Sequence, residues 1–122
     1  MTIGSIVGTK LRAEEAHSTP AWWQLLRGSA PPFRVRGRWL AVAHVVVPKA
    51  PREYFSVLAE LEPPTWRPVA YSLPFHFLAP GVEYCLSAQA HGDEVHFFVS
   101  RMDRESYVVV ADNVLDLLTE RI

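Results

Sequence analysis

The chain has 122 residues, of which 49% are hydrophobic and 11% aromatic, and its formal net charge is -1. This length suits one domain with its own core, and the balanced charge provides no overall field to attract nucleic acid or an anionic membrane. We therefore expect a single globular domain over 1–122. A membrane span is not expected, because the most apolar run, 40–48, is far shorter than the roughly 20 residues that a span needs.

The N-terminal part predicts one short helix. Thr19-Pro20 is a typical helix start, because the hydroxyl can cap the first turn and proline suits the first helical position. We predict a helix over 21–27 that ends at Gly28. Trp22 and Trp23 lie among apolar residues that occupy more than half of the helix circumference. This helix must therefore pack against other parts of the protein on several sides.

A strand is predicted over 33–47, with a bend or bulge at Gly37. Its first half alternates, which would place Arg34, Arg36 and Arg38 on one face as a ladder. Its second half is nearly all apolar, which is typical of a strand buried on both faces.

The middle of the chain predicts a second helix and a broken extended segment. Residues 51–62 carry apolar side chains at helical spacing with charged ones opposite, which favours an amphipathic helix. Residues 66–78 look extended, but Pro68 and Pro74 restrict them to an edge strand or two broken pieces.

The C-terminal part predicts strands followed by a helix. Gly92-Asp93 and Asp103-Arg104 read as two-residue turns, which join three antiparallel strands near 82–91, 94–101 and 106–111. An amphipathic helix over 112–122, capped by Asp112, would end the chain. The fold class is therefore α+β: a mostly antiparallel sheet of four to five strands with two to three helices packed on it.

The first of these turns also predicts which side chains meet. His91 should face Glu94, Gln89 should face His96, and Ser87 should face Phe98, because side chains alternate along paired strands. Cys85 should then face Ser100 on the same surface. The other face would be the core, and its predicted members are Tyr84, Leu86, Ala88, Ala90, Val95, Phe97 and Val99.

Two imidazoles and a carboxylate, from His91, His96 and Glu94, could bind zinc with one position left open. These residues fit equally well as solvated side chains at a hairpin tip, and no metal-ligand spacing motif occurs. We therefore predict neither a metal nor a cofactor.

The single cysteine, Cys85, cannot form an internal disulfide, which favours a reducing compartment and a cytoplasmic location. His96 lies about four residues away along the predicted hairpin, too far to act as a base for the Cys85 thiol. The favoured interpretation of Cys85 is a small apolar residue. His44 is interpreted in the same way, as a core histidine with one ring hydrogen bond.

Two surfaces could bind a partner. The arginine ladder with Trp22 and Trp23 could grip a nucleic-acid backbone or an acidic protein, or could simply protect an edge strand. A half-apolar sheet face needs cover from a helix, a second subunit or a ligand. We place Phe98, Tyr107 and Val109 on that face, beside His96. His76 has two interpretations, an exposed residue or one that lines a cleft.

The sequence contains no glycine-rich phosphate loop, no nucleophile elbow and no zinc-protease motif. This favours a non-enzymatic binding protein whose partner is another protein or a second copy of itself, with nucleic acid disfavoured and no membrane. The alternative is a small-molecule-binding or catalytic domain with a cleft between the sheet and the Trp-rich helix. His44, His76, His96 and Tyr107 would then line that cleft.

One segment resembles a known family. Residues 107–118, read as a strand that runs into a capped helix, resemble the last strand and helix of bacterial immunity proteins of the SUKH type. The resemblance is confined to these residues and implies a partner-binding protein. The upstream segments do not match that family, so no family is assigned.

Overall fold

The structure is a computed structural model that describes residues 2–7, 10–16, 19, 21–48 and 50–122, with only the backbone defined for the first two ranges. In chain order the strands are β1 Thr2–Val7, β2 Lys10–Ala16, β3 Arg27–Gly28, β4 Phe33–Val35, β5 Arg38–Val47, β6 Glu53–Glu62, β7 Arg67–Tyr71, β8 Glu83–His91, β9 Glu94–Arg101, β10 Glu105–Asp112 and β11 Glu120–Arg121. Two short 3-10 helices span Ala21–Leu25 and Val114–Leu117. No helix in the described part of the chain is long and apolar enough to cross a membrane.

The strands form three antiparallel sheets. β1 and β2 make a hairpin of their own. The larger sheet has the order β11-β7-β6-β5-β3, and β4 pairs with β5 on the same side as β3. The smaller sheet has the order β10-β9-β8, so β10 is one of its edges.

The larger and smaller sheets pack face to face, with β8 in contact with β4, β5 and β6. The core lies between them, and Val114 and Leu118 from the C-terminal segment join it. Its other buried members are Phe33, Val35, Leu40, Val42, Leu58 and Ala70 from the larger sheet, and Cys85, Val95, Phe97 and Val99 from the smaller. The architecture is an antiparallel β sandwich.

The prediction of an α+β fold is therefore wrong, and the segment 51–62 shows why. It forms strand β6, in which Ser56, Val57, Leu58 and Ala59 are all buried. A strand covered on both faces loses the alternation that marks a half-buried strand, and a short apolar run then resembles a helix stripe.

The predicted helix over 112–122 is also wrong. β10 continues through Asp112. Asn113 then takes the left-handed conformation with φ 55°, which ends the strand and turns the chain. Only one 3-10 turn follows, and β11 pairs with β7. The strand-to-helix joint on which the resemblance to the SUKH-type immunity proteins rested is absent from this segment.

The predicted helix over 21–27 is reduced to the 3-10 helix Ala21–Leu25, with Trp23 as its one buried residue. The predicted strand over 33–47 is two strands. Arg36 and Gly37, with φ of 49° and 75°, form a hairpin turn between β4 and β5. Two consecutive positive φ values are typical of the tight turn that matches strand twist.

Several predictions for the C-terminal strands are confirmed. The three strands lie where they were expected, and Gly92-Asp93 joins β8 to β9. The predicted pairs His91 with Glu94, Gln89 with His96 and Ser87 with Phe98 all form. The segment 66–78 is split as expected, into β7 and an isolated bridge at Phe75.

Two register changes were not predicted, and each moves side chains to the opposite face. A bulge at Leu86 pairs Cys85 with Val99 instead of Ser100. Leu86 is consequently 47% exposed, whereas Cys85 is fully buried.

The second change lies between β9 and β10. The loop has three residues, 102–104, instead of two, so Tyr107 pairs with Val99 and Val109 with Phe97. Tyr107 and Val109 therefore do not share a face with Phe98. The residues that do are Val108, directly opposite Phe98, and Val110, opposite His96.

A buried carboxylate connects the two sheets. Glu83, only 1% exposed, accepts hydrogen bonds from the backbone N–H groups of Phe77, Leu78 and Ala79. Arg101 donates to the same carboxylate over 3.1 Å. This pair fixes the loop that leads from the larger sheet into β8.

The bulge can be tested by unfolding in urea. Leu58→Ala should lower the free energy of unfolding by about 2–5 kcal/mol, because it opens a cavity in the core. Leu86→Ala should change it by less than about 0.5 kcal/mol, since this side chain faces solvent. Equal losses for the two variants would contradict the register of β8.

Removal of the Glu83 carboxylate should be costly. Glu83→Ala should lower the free energy of unfolding by about 3–5 kcal/mol, because Arg101 and three backbone donors lose their acceptor. Glu62→Ala, which removes an exposed partner of Arg67, is the matched control and should cost less than about 0.5 kcal/mol. Similar values for both would show that the carboxylate does not anchor the loop.

Candidate functional site

An apolar pocket lies on the outer face of the larger sheet. It has a volume of about 260 Å³. Its floor is formed by side chains of β5 and β6 that point away from the core, and its wall is the segment that runs from the first 3-10 helix across β3. The lining residues that carry the argument are Trp23, Arg27, Ala41, Ala43, Val57 and Ala59.

Small side chains create this space. Ala41 pairs directly with Ala59, and Ala43 pairs with Val57, so the floor consists of short apolar side chains. Backbone hydrogen bonds keep the wall beside the floor and not on top of it: the N–H groups of Ser29 and Ala30 both donate to the carbonyl of Val42. The wall segment therefore passes the floor and leaves the space above the short side chains empty.

Trp23 closes one side of the pocket. Its ring packs edge-on against Tyr71 of β7, with centroids 5.6 Å apart, and Trp22 packs on the same tyrosine. The indole Nε1 of Trp23 is buried and has no hydrogen-bond partner among the described residues. A buried donor without an acceptor costs free energy, so the packing of Trp23 carries this penalty.

Arg27 belongs to the wall of the pocket, but its charge lies on the opposite face of the sheet, near His44. It pairs with His44 across β3 and β5, and its side chain is exposed. Among the side chains that the structure describes, no carboxylate lies at salt-bridge distance from Arg27, unlike Arg36, Arg38 and Arg101. The pocket is thus lined mainly by apolar side chains, with the charge of Arg27 on the other face of the sheet.

The predicted arginine ladder is not present, because β4 folds back on β5. The Arg34 guanidinium lies over the Trp39 ring, 5.4 Å from its centroid. Arg36 makes two hydrogen bonds to Asp93, of 2.6 and 2.7 Å, which link the β4–β5 turn to the β8–β9 turn. Arg38 is paired with Glu60 in the same bidentate way.

The structure does bring His91, Glu94 and His96 together. The two imidazole centroids are 4.5 Å apart, and His96 Nε2 lies 2.6 Å from Glu94 Oε1. Even so, no group of three potential ligands that could hold a metal ion occurs among the described side chains.

The other histidines lie elsewhere. His76 packs against Phe55, and its Nε2 is 3.2 Å from Glu53 Oε1 without the angles of a hydrogen bond. His44 lies between Tyr54 and Tyr84. The four residues expected to line one cleft, His44, His76, His96 and Tyr107, therefore do not converge, and none of them lines the apolar pocket.

The two predicted residues of the half-apolar face are separated. Phe98 is partly buried on β9, whereas Tyr107 is exposed on β10 and donates its hydroxyl hydrogen to Glu105. The exposed apolar surface of β10 is made instead by Val108 and Val110, each 54% exposed.

Cys85 is a core residue. Burial raises the pKa of its thiol to about 11, and its Sγ lies 3.1 Å from the carbonyl oxygen of Ser87. The thiol is therefore protonated near neutral pH, and a protonated buried thiol is a poor nucleophile. This agrees with the interpretation of Cys85 as a small apolar residue.

Sequence reasoning found Trp23 but missed the rest of the pocket. Ala41, Ala43, Val57 and Ala59 carry no chemical signal individually, and they form a floor only when β5 and β6 pair. The available signal was the two-sided apolar character of 40–47, which required cover on both faces.

His44 predicts how stability depends on pH. Burial lowers the pKa of His44 from its usual 6.5, and the charge of Arg27 lowers it further. Below pH 6.5 the unfolded chain therefore binds a proton at this site more readily than the folded chain does, and stability falls as the pH decreases.

Urea unfolding on both sides of that pH tests this. His44→Phe should make the decline in stability toward acid shallower than in the unmodified protein. An identical decline in His44→Phe and the unmodified protein would contradict the assignment.

Comparison with known proteins identifies no relative. No family model matches the chain, and neither a curated protein nor a solved structure matches it. The candidate site is therefore interpreted from its own geometry.

Proposed function

We propose that this chain is a non-enzymatic binding protein that associates through β10, with a second copy of the chain as its partner. The observation that carries the proposal is the edge of the smaller sheet. β10 has β9 on one side, and no described strand pairs with its other side. An open strand edge presents a row of backbone donors and acceptors to any strand that can align with it.

β10 carries charged residues only at its two ends, and its centre lacks the other devices that protect such an edge. All eight of its residues pair with β9 in continuous register, so no bulge twists the edge away. It contains neither proline nor lysine. Val108 and Val110 project from one face and are exposed, which gives a second strand apolar surface to cover.

Charge selects the register of the pairing. Two copies related by a twofold axis would pair their β10 strands antiparallel. If Val108 faces Val108 of the second copy, Arg104 lies opposite Asp112 at both ends. If the axis falls between Val108 and Val109, Glu105 lies opposite Asp112, and facing like charges destabilise a strand pair.

The same proposal includes a cytoplasmic location, supported by the one cysteine being free and buried. Nucleic acid is disfavoured as a partner, because Arg36 and Arg38 are neutralised by Asp93 and Glu60. A different protein that adds a strand to β10 is the second candidate partner.

Sedimentation velocity at increasing protein concentration tests the proposal. The unmodified chain should dimerise with a dissociation constant of about micromolar or weaker, as is usual for small interfaces. Val108→Lys places like charges across the twofold axis and should weaken the dimer about tenfold or more. Leu73→Lys, at a 61% exposed site outside β10, is the matched control.

A charge reversal tests the register. Arg104→Asp and Asp112→Arg should each weaken association, and the double variant should restore it. A chain that stays monomeric at every concentration, or a dimer that Val108→Lys leaves intact, would refute self-association through β10.

A further inference from the structure

We propose that the apolar pocket bordered by Trp23 binds an uncharged, compact apolar molecule, such as an alkylbenzene. The ligand would lie on the outer face of the larger sheet, over the floor formed by β5 and β6. Concave, mainly apolar pockets are where proteins bind small molecules. No residue of β10 lines this pocket, so the site and the proposed dimer can fail independently.

The pocket exists because the strands that meet there carry short side chains or none. Gly28 of β3 pairs with Ala43 of β5, and Ala43 pairs with Val57 of β6, so the three positions share the outer face. The next pair along the sheet on that face is Ala41 with Ala59. A Cβ built at Gly28 meets no heavy atom beyond its chain neighbours within 4 Å, so the space beside Ala43 is open. A ligand can therefore occupy volume that the side chains leave free.

The lining selects an uncharged ligand. Of the residues that line the pocket, only Trp23 and Arg27 carry polar side-chain atoms, and the charge of Arg27 lies on the opposite face, near His44. An ionised group in the pocket would lose its hydration without gaining a charged partner from the lining, which is strongly unfavourable. Water also finds few hydrogen-bond partners among these side chains, so an apolar ligand displaces it readily.

The volume sets the size of the ligand. An engineered apolar cavity of about 150 Å³ binds benzene, so a pocket of about 260 Å³ accommodates roughly ten non-hydrogen atoms. Isopropylbenzene has nearly this size and no polar group. Its ring can contact the Trp23 ring, which borders the pocket, in the edge-on or offset arrangement that aromatic pairs prefer.

Titration followed by NMR of the isotope-labelled full chain tests the requirement for a neutral ligand. The three probes, isopropylbenzene, benzoate and phenethylamine, have the same number of non-hydrogen atoms and differ in charge. Isopropylbenzene should bind saturably, with the largest amide shifts in β3, β5 and β6. Benzoate and the phenethylammonium ion should bind at least about tenfold more weakly, because an ionised group has no charged partner in the pocket. No saturable binding of isopropylbenzene, or an equal affinity for benzoate, would overturn the proposal.

Gly28→Val fills the pocket from its edge. It adds side-chain volume on the outer face, and the chain should stay folded, because a Cβ at Gly28 meets nothing within 4 Å and valine suits a strand. Isopropylbenzene should then bind about tenfold more weakly or not at all. Ala50→Leu, at an exposed site that does not line the pocket, is the matched control and should leave the affinity unchanged. Intact binding in the folded Gly28→Val variant would refute the position of the site.

Ala41→Leu fills the pocket from its floor and provides an independent test. It should abolish binding of isopropylbenzene, while the thermal transition reports whether the variant is folded. If both larger variants fail to fold, Gly28→Ala gives the answer, because a single methyl group should weaken the binding of isopropylbenzene more than that of benzene, which leaves part of the pocket free. An equal or absent effect on the two ligands, in this folded variant, would contradict the proposal.

Discussion

The pairing of Glu83 with Arg101 is the constraint on which the arrangement of the two sheets depends. A carboxylate removed from water is tolerated only when its oxygens are fully hydrogen bonded, and Glu83 has both a guanidinium and backbone N–H groups around it. Arg101 donates in turn to the carbonyls of Ala79 and Pro80. Both Glu83 and Arg101 thereby hold the loop between the sheets, and this fixes the position at which β8 enters the smaller sheet.

The continuation of that loop also reaches β6. Ser56 and Phe75 exchange two backbone hydrogen bonds, and Tyr54 donates its N–H to the carbonyl of Gly81. β6 is consequently fixed between the core on one face and the pocket on the other. The short side chains on the outer face of β6 are tolerated because the large rings of Trp23 and Tyr71 pack beside them.

The features that could be predicted from sequence are those set by neighbouring residues. Gly92-Asp93 carries its own turn geometry, so the pairs His91–Glu94 and Gln89–His96 could be derived from it. β6 could not, because the covers of its two faces come from distant parts of the chain. Leu86 and the loop 102–104 show a further limit: one extra residue reverses the faces of a strand, and nothing local marks the bulge at Leu86.

The candidate site follows the same division. Trp23 was recognisable as a large side chain in need of cover, but its position against Tyr71 depends on the pairing of β6 with β7. Ala41 and Ala59 form a floor only because β5 pairs with β6. A site formed by short apolar side chains of paired strands has no sequence motif.

The contact between Arg36 and Asp93 joins two hairpin tips, one from each sheet, whose residues are 57 positions apart. Both side chains are largely exposed, with relative accessibilities of 60% and 59%, so mobile ions compete for each charge. The opposite end of the sandwich is held by the buried Glu83 and is insulated from such competition. Ionic strength should therefore affect the two ends of the sandwich differently. Added salt should weaken the Arg36–Asp93 contact and allow the two sheets to separate transiently at the hairpin tips, while the Glu83 end stays closed and acts as the hinge.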